Sequence, residues 1–441
     1  MSVSKITARK AAVSTLLKTA QSRGYSNIEL DAAIKKFNLS GVERAFFTAL
    51  FYGVIERKIT LDYIISRLSS RTLDDIDIKV LTILETGIYQ LRYMDKVPES
   101  AAVNESVKLC DEFYAPKNSG AFVNALLREY IRKKDDIPFP DRKKEYIKYL
   151  SITYSVPAWL CEKWSREFGS DCEKLFEATF RSPRMTLRVN TLKTNADELV
   201  SSLASLGIKA ERTKFAPHGV RLLGAVPTEK LDALDGLFFV QDEASQIAVA
   251  ALGATAGDTV IDCCAAPGGK SFGAAMSMEN TGVVYSFDLH KSKISLIEKG
   301  AARLGISIIS ADVQNGAESR GDMPTADKII CDVPCSGLGV IAKKPDIRYK
   351  SPDEFEKLPT LSLKILETAA GYLKSGGDIV FSTCTLSKAE NEEVVEKFLA
   401  SHAEFSLRPF EVGGLKSDGM LTLLPHVHRT DGFFISKLHK N

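Results

Sequence analysis

From residue 236 onward, short apolar segments alternate with amphipathic ones. DTVIDCC (258–264) precedes GGKSFGAAMSM (268–278), and GVVYSFD (282–288) precedes KSKISLIEKGAARLG (291–305). Three more apolar segments follow, ISIISAD, ADKIICDVP and GDIVFSTC, and the chain closes with GMLTLLP and DGFFISKL, which predict an antiparallel hairpin. The alternation predicts an α/β domain whose parallel sheet is covered by helices on both faces. Ligands of such sheets bind beyond the carboxyl ends of the strands.

The first part of the chain has a different pattern. Apolar residues recur every three or four positions in 41–68, 77–94 and 120–134, which predicts helices, and DDIPFPDRKK then interrupts the pattern. A chain of 441 residues is too long for one ordinary domain. We therefore expect a multidomain protein with an all-α domain over 1–140, a small α+β region over 141–235 and the α/β domain over 236–441.

Composition excludes several classes of protein. The formal net charge of +2 gives no whole-chain argument for nucleic-acid binding, and no run of 18 uncharged apolar residues predicts a membrane span. The eight cysteines include no C-x2-C pair, so we expect no metal site. A long chain without a recognisable secretory signal is expected to keep its thiols reduced in the cytoplasm. We expect a monomer.

A glycine-rich turn follows the first strand of the α/β domain. Within DCCAAPGGKS, Gly268 and Gly269 permit a sharp turn, and the amides at the start of the next helix can hold an anionic group. The turn has neither the G-x-G-x-x-G pattern of dinucleotide sites nor the pattern of a Walker loop. Taken alone, it is as compatible with an ordinary strand-to-helix connection as with a ligand site.

Acidic residues end the next two strands. Asp288 follows the glycines by roughly 20 residues, the spacing at which a carboxylate commonly binds ribose hydroxyls, and Asp312 ends the third strand. Either acid alone is equally typical of a helix cap. Together with the turn they indicate a nucleoside ligand, for which NAD and a methyl-donor nucleoside both remain open.

Two cysteines lie at the ends of the fourth and fifth strands. Cys384 precedes Ser387 and Glu390, whose S-x-x-E spacing predicts a capping box and a helix N-terminus that would favour a thiolate. Asp332 precedes Cys335 by three residues and would raise the pKa of that thiol, so Asp332 is better suited to handling a proton on the substrate. Cys331, within its strand, is expected to be a buried apolar residue.

These motifs together resemble the NOL1/NOP2/Sun family of RNA cytosine-5 methyltransferases. The resemblance extends from residue 145 to residue 441 in family order and rests on RVNTL, GLFFVQDEASQ, DCCAAPGGKS, FDLH, ADV, DVPCSGLGV, FSTCTL and DGFFISKL. The helical part resembles a NusB-like RNA-binding domain, and the pairing of the two domains resembles bacterial enzymes that act on 16S rRNA. The resemblance implies a Rossmann-like class I methyltransferase domain.

Site roles follow from that resemblance. It implies S-adenosylmethionine as cofactor, Cys384 as the nucleophile and Cys335 as the group that assists product release. Asp332 is expected to handle a proton at the base, for which its pKa would have to be raised. The residues implied to hold or border the cofactor are Cys264, Ala265, Ala266, Pro267, Gly268, Gly269, Lys270, Asp288, Asp312 and Asp332. The implied partner is 16S ribosomal RNA, free or in an early small-subunit particle.

The chemistry explains the need for a thiol. Cytosine C5 is too weak a nucleophile to take a methyl group from a sulfonium donor, and thiolate addition to C6 makes it reactive. Three alternatives remain: DNA cytosine methylation with Cys335 as nucleophile, an RNA-binding assembly factor and a nicotinamide dehydrogenase. The basic residues considered as RNA contacts are Arg9, Lys10, Arg57, Lys58, Arg184, Arg188 and Lys193.

Overall fold

A computed structural model describes residues 6–22, 26–224, 226 and 228–441 of the chain. It divides into two compact units. The first contains the residues up to Phe180 together with Ile341–Lys350, and the second contains Arg181–Val340 and Ser351–Asn441. The predicted boundaries near residues 140 and 235 stay predictions. Within the described part of the chain, no helix is long and apolar enough to cross a membrane.

The first unit is helical, as its periodicity predicts. Its helices are α1 (Ala8–Ser22), α2 (Ser26–Lys36), α3 (Gly41–Leu68), α4 (Ile78–Tyr93), α5 (Glu99–Glu112), α6 (Ser119–Lys133), α7 (Tyr146–Tyr154), α8 (Ala158–Phe168) and α9 (Cys172–Ala178). Apolar residues spaced at three and four positions, such as Phe47, Leu50 and Phe51 of α3, form one core over the first six helices.

A segment distant in sequence completes this unit. Arg348, in the Ile341–Lys350 segment, is fully buried and donates hydrogen bonds to the main-chain carbonyls of Glu56, Tyr154 and Ser155. The neighbouring Tyr349 hydroxyl donates to the carbonyl of Ile55 at 2.6 Å. A buried guanidinium is stable only when such acceptors surround it, so these contacts fix the segment within the helical unit.

The second unit begins with a small antiparallel sheet. Its elements are β1 (Thr186–Val189), α10 (Ala196–Ser205), β2 (Ala210–Arg212), β3 (Gly219–Leu222) and β4 (Phe238–Val240), and the strand order is β2-β3-β1-β4. The side chain of Asn195 accepts hydrogen bonds from two amides at the start of α10 and so caps that helix. The small α+β region is therefore confirmed.

The larger sheet follows the predicted alternation. Its elements are α11 (Glu243–Leu252), β5 (Thr259–Asp262), α12 (Gly269–Ser277), β6 (Val283–Asp288), α13 (Lys291–Leu304), β7 (Ile309–Val313), β8 (Ala326–Asp332), α14 (Leu358–Ala370), β9 (Leu373–Thr383), α15 (Glu392–Ser401), β10 (Phe405–Leu407), β11 (Phe410–Val412), β12 (Leu415–Ser417), β13 (Met420–Leu423), α16 (Pro425–His428) and β14 (Phe433–Lys440). Strand order is β10-β14-β9-β8-β5-β6-β7, with β13 beside β14, and β11 pairs only with β12.

Pairing within this sheet brings five strand ends to one edge. Strands β7, β6, β5, β8 and β9 are parallel, and β14 joins β9 antiparallel. Successive residues of β5 pack on opposite faces, since Val260 belongs to the core formed with α11–α13 and Ile261 to the core formed with α14 and α15. The predicted closing hairpin is formed by β13 and β14. The predicted Rossmann-like fold is confirmed.

Candidate active site

The predicted site residues lie at the carboxyl ends of the parallel strands. Asp288 is the last residue of β6, Asp332 is the last of β8, and Cys384 directly follows β9. Asp312 is the penultimate residue of β7. Because β7, β6, β5, β8 and β9 are consecutive neighbours and parallel, these ends form one edge of the sheet.

The turn between β5 and α12 is tightly packed. Gly268 has φ +108°, and a Cβ atom there would collide with the ring of Phe272. A Cβ atom on Gly269 would lie 3.2 Å from the Nε2 atom of Gln241. The chain therefore needs glycine at position 268, whereas a side chain at position 269 would require Gln241 to shift by a few tenths of an ångström.

Buried side-chain hydrogen bonds connect the turn to strands β5 and β6. The Ser286 hydroxyl donates to the Ser271 hydroxyl at 2.8 Å, and Ser271 donates to Asp262 Oδ2 at 2.7 Å. Burial raises the pKa of Asp262 to about 7, although the Ser271 hydrogen bond opposes the shift. The first turn of α12 is thus tied to the end of β5 by side chains as well as by the main chain.

The turn and the strand ends fit an S-adenosylmethionine site. The N-terminus of α12 suits a carboxylate, and Asp288, at the end of β6, suits ribose hydroxyls. Asp312 lies one register position away on β7, but its side chain is exposed and already accepts from Arg320, which lowers the pKa of Asp312. Cofactor binding by Cys264–Lys270, Asp288, Asp312 and Asp332 stays a prediction.

Lys270 lies at the centre of the polar part of the site. Its ammonium, with a side chain 11% exposed, lies 2.6 Å from Asp332 Oδ2 and 5.4 Å from the ring centroid of Phe433. Burial alone would lower the pKa of Lys270, but Asp332, Asp262 and Cys384 together raise it. The other Asp332 oxygen accepts from the Ser382 hydroxyl at 2.7 Å. Asp332 thus accepts from an ammonium on one oxygen and from a hydroxyl on the other.

The two cysteines of the site touch. The Sγ atoms of Cys335 and Cys384 lie 3.3 Å apart, and both residues are partly exposed. The pKa of the Cys335 thiol is raised well above its usual range, first by the hydrogen bond with Cys384 and then by burial. Lys270 also interacts electrostatically with Cys384. A cation beside a thiol favours its thiolate, so this geometry suits Cys384 for ionisation and Cys335 for the protonated form.

The predicted capping box after Cys384 is wrong. Ser387 makes no side-chain cap hydrogen bond, only a short 3-10 turn (Lys388–Glu390) follows, and α15 begins at Glu392. Glu390 instead accepts from the amide and the hydroxyl of Ser336, each at 2.7 Å. A helix N-terminus is therefore not available to favour a thiolate at Cys384, and the electrostatic interaction with Lys270 is the contact that would favour it.

Some of the basic residues considered as RNA contacts have structural partners. Arg188 is 3% exposed, and its guanidinium donates to the carbonyl of Gly273 at 3.2 Å, so as an exposed RNA contact it is excluded. Its pKa falls to about 10 because of burial. Arg57 stacks on Phe180, and Lys58 bonds Asp62 and Glu85. Strand β1 is buried on both faces, so Arg188 lies opposite Leu187 and Val189 and packs against Gly273 of α12, a position that its charge alone did not predict.

Several residues of the site escaped prediction from the sequence. Ser382 and Phe433 lie within FSTCTL and DGFFISKL but were given no role, Asn391 lies outside the quoted motifs, and Glu390 was assigned to a cap. The acidic residue that follows the strand-end cysteine Cys384 was the one sequence signal that pointed to Glu390. In the described ranges, which omit residues 1–5, 23–25, 225 and 227, no cluster of His, Cys, Asp or Glu could hold a metal ion.

Comparison with protein families divides the chain into three matches. The model for 16S rRNA methyltransferase RsmB/F matches residues 249–439, and the NusB family model matches residues 6–132. A model for the ferredoxin-like domain of RsmF/B-like methyltransferases matches residues 156–229. From the N-terminus onward, the three matches correspond to the helical part, the small sheet and the large sheet.

Similar proteins extend the match to the whole chain. A probable ribosomal RNA small subunit methyltransferase B from Bacillus subtilis is 36% identical, with 99% of each chain covered. The ribosomal RNA small subunit methyltransferase B of Serratia proteamaculans is 29% identical over 91% of this chain and 92% of its own. The solved structure of PH0851 has a TM-score of 0.81 at 27% identity, covering 98% of each chain. A methyltransferase homologue from Pyrococcus horikoshii has a TM-score of 0.59 at 28% identity, covering 66% of this chain and 97% of its own.

Proposed function

Because this chain belongs to the RsmB/F family of 16S rRNA methyltransferases, we propose that it methylates C5 of a cytosine in 16S rRNA through a covalent bond between Cys384 and C6. Family membership makes the chain an S-adenosylmethionine-dependent rRNA methyltransferase. The choice of C5 and the covalent step are the proposal. The observation that carries it is the contact of Cys335 and Cys384 beside the Lys270–Asp332 ion pair.

Attack on the base is the first step. The Cys384 thiolate forms the S–C6 bond, and the electron pair of the C5=C6 bond moves onto C5 and toward N3. Lys270 favours the thiolate beforehand, and the Lys270–Asp332 pair meets the charge that develops at N3. Because Asp332 contributes to raising the pKa of Lys270, the proton in this pair resides on Lys270. The expected proton-handling role therefore belongs to the pair.

Transfer and release complete the cycle. S-adenosylmethionine, when bound, supplies the methyl group that C5 takes. A base must then remove the C5 proton, after which the C5=C6 bond re-forms and Cys384 leaves as a thiolate. Cys335 is suited to act as this base. The largest cause that raises its pKa is the hydrogen bond with Cys384. Once Cys384 is bonded to carbon, that cause is removed and Cys335 ionises more easily.

Access to C5 requires the target base to leave its stack. A looped or flipped cytosine in 16S rRNA, free or in an early small-subunit particle, is therefore the expected substrate. The NusB-family part of the chain is proposed to bind the RNA. The reading as DNA cytosine methyltransferase is not favoured, because the relatives are named for ribosomal RNA.

Release of the C5 hydrogen tests the proposal. Unmodified 16S rRNA transcribed with [5-³H]cytidine should lose tritium to water when the protein and S-adenosylmethionine are both present. The released tritium should equal the methyl groups incorporated, and digested RNA should contain 5-methylcytidine. Methyl incorporation without tritium release would mean that another atom is methylated, which contradicts the proposal.

A further inference from the structure

Two consecutive residues before α15 each hold one of the cysteine-bearing loops. Glu390 is 3% exposed and accepts two hydrogen bonds from Ser336, the residue after Cys335. Both bonds measure 2.7 Å, one from the main-chain amide and one from the hydroxyl. The carboxylate therefore fixes the main chain beside Cys335 and not only a side chain.

Asn391 does the same for the other cysteine. Its Oδ1 atom accepts from the Thr383 hydroxyl at 2.5 Å, and its Nδ2 atom donates to the Thr385 carbonyl at 3.0 Å. Thr383 and Thr385 are the residues on either side of Cys384. Asn391 is 1% exposed, so water does not compete for these bonds.

Two further contacts join the loops directly. The Ser336 and Thr385 hydroxyls lie 2.7 Å apart, and the Gly339 amide donates to the Cys384 carbonyl at 3.0 Å. A Cβ atom on Gly339 would lie 2.8 Å from the carbonyl oxygen of Cys384, so the two loops approach as closely as glycine permits. The network around the thiols is thus continuous through buried hydrogen bonds.

The burial of the Glu390 carboxylate needs a reason beyond stability. Taking a carboxylate out of water costs free energy that even well-made hydrogen bonds only partly offset. Three residues later, Glu393 is exposed at the surface of α15. Within this short segment, a glutamate at the surface therefore contrasts with the buried Glu390, which lies against the loop that carries Cys335.

We propose that Glu390 and Asn391 are positioning residues that hold the two thiols in register, Glu390 through Ser336 for the step that needs Cys335 and Asn391 through Thr383 and Thr385 for the step that needs Cys384. The inference rests on the proposed function. It assigns a separate step of the reaction to each positioning residue. A misplacement of about 1 Å can slow a reaction on the order of 100-fold, so such residues matter without touching the RNA.

Charge adds to the effect of geometry at Cys335. After the hydrogen bond with Cys384 and burial, the Glu390 carboxylate is a further cause that raises the pKa of the Cys335 thiol. Glu390 thereby makes a smaller contribution to the preference of Cys335 for the protonated form. Removing the charge while retaining the shape of the side chain separates this effect from packing.

The test uses the full-length protein with 16S rRNA transcript and S-adenosylmethionine, and follows two quantities. One is the amount of protein–RNA adduct that survives denaturation, and the other is tritium release from [5-³H]cytidine. The variants are Glu390→Gln and Asn391→Ala, with Glu393→Gln as the matched control. Ser336→Ala, which removes only the hydroxyl, is a milder change should Glu390→Gln fail to fold, and thermal melting monitors the fold of every variant.

The proposal predicts opposite behaviour of the two variants. In Glu390→Gln and Ser336→Ala, adduct should form at close to the wild-type rate and accumulate, while tritium release falls on the order of 10-fold or more. In Asn391→Ala, adduct formation itself should slow by a similar factor, with no accumulation. Glu393→Gln should match the wild type.

A different pattern would overturn the inference. If both steps fall together in both variants, in proportion to lost thermal stability, the two residues are merely structural. If Glu390→Gln behaves as Glu393→Gln does, Glu390 has no positioning role. Absence of any adduct with the wild-type protein and 5-fluorocytosine RNA would instead count against the proposed function itself, and so the two failures are distinguishable.

Discussion

The large sheet contains two pairs of neighbouring cysteines with different surroundings. Cys263 and Cys331 hydrogen-bond to each other inside the apolar core on the α14–α15 face. Cys335 and Cys384 make a similar contact beyond the ends of β8 and β9. In each pair the pKa of one thiol, Cys263 or Cys335, is raised, first because of its hydrogen bond with the other.

The difference lies in the fixed charges around the pairs. The inner pair is packed among apolar side chains such as Ile329. The outer pair has Lys270 on the side of Cys384 and the buried Glu390 carboxylate on the side of Cys335. Proximity of two thiols is therefore common to both regions, whereas the outer pair is partly exposed and has a cation beside Cys384, which favours reactivity.

Substitution of the nucleophile should give the largest contrast between the pairs. Cys384→Ala should abolish methylation, a loss on the order of 10³-fold or more, because C5 is not activated without the thiolate. Cys331→Ala, the matched change in the inner pair, should leave the rate within about twofold, since surrounding packing is all that changes. Methyl incorporation into 16S rRNA measures both.

Removal of the Lys270 charge should slow methylation, but less than removal of the Cys384 thiol does. Lys270→Met keeps the length of the side chain and removes the charge beside Cys384 and Asp332, and we expect a loss on the order of 100-fold in kcat. The control is Lys291→Met, at the exposed first position of α13. Equal activity of the two variants would mean that the ion pair has no part in the reaction.

Alkylation should reveal the dependence of Cys335 on its neighbour. A raised pKa means that less thiolate is present at a given pH, so labelling of Cys335 by iodoacetamide should begin only at alkaline pH in the wild type. Cys384→Ala removes the first cause of the shift, and labelling of Cys335 should then begin at lower pH. Mass spectrometry of the peptide that contains Cys335 gives the profile. A profile unchanged by Cys384→Ala contradicts the coupling.

The smallest effect is expected on the stability of the inner pair. Cys331 is fully buried, so Cys331→Ala should cost about 1 kcal/mol of unfolding free energy and lower Tm by about 2–4 °C. Thermal melting followed by circular dichroism measures this shift. A melting temperature unchanged within error, together with lost methylation, would reverse the roles assigned to the two pairs.

Prediction from the sequence succeeded where local pattern decides structure. The spacing of apolar residues predicted α3, and alternating segments predicted the parallel strands and the end at which Asp332 and Cys384 lie. The partners of these residues are distant in sequence. Lys270 meets Asp332 across 62 positions and Glu390 meets Ser336 across 54, and no local pattern specifies such pairs.

The errors have the same origin. Ser387 and Glu390 have the spacing of a capping box, but the Glu390 carboxylate accepts hydrogen bonds from Ser336 on another loop. This tertiary contact overrides the local preference. Arg188 has the charge of an RNA contact, but β1 is buried on both faces and Arg188 packs against Gly273 of α12. The segment Ile341–Lys350 lies within the helical unit although the strands around it in sequence belong to the other.

The most direct test of the central claim is the trapping of the covalent intermediate. Fluorine at C5 prevents the final elimination, so 16S rRNA containing 5-fluorocytosine should remain bonded to the attacking cysteine after denaturation. With S-adenosylmethionine present, we predict an adduct with the wild-type protein and with Cys335→Ala, none with Cys384→Ala, and a digested peptide in which Cys384 carries the nucleotide. An adduct that survives Cys384→Ala and disappears with Cys335→Ala would contradict the account, because Cys335 would then be the nucleophile.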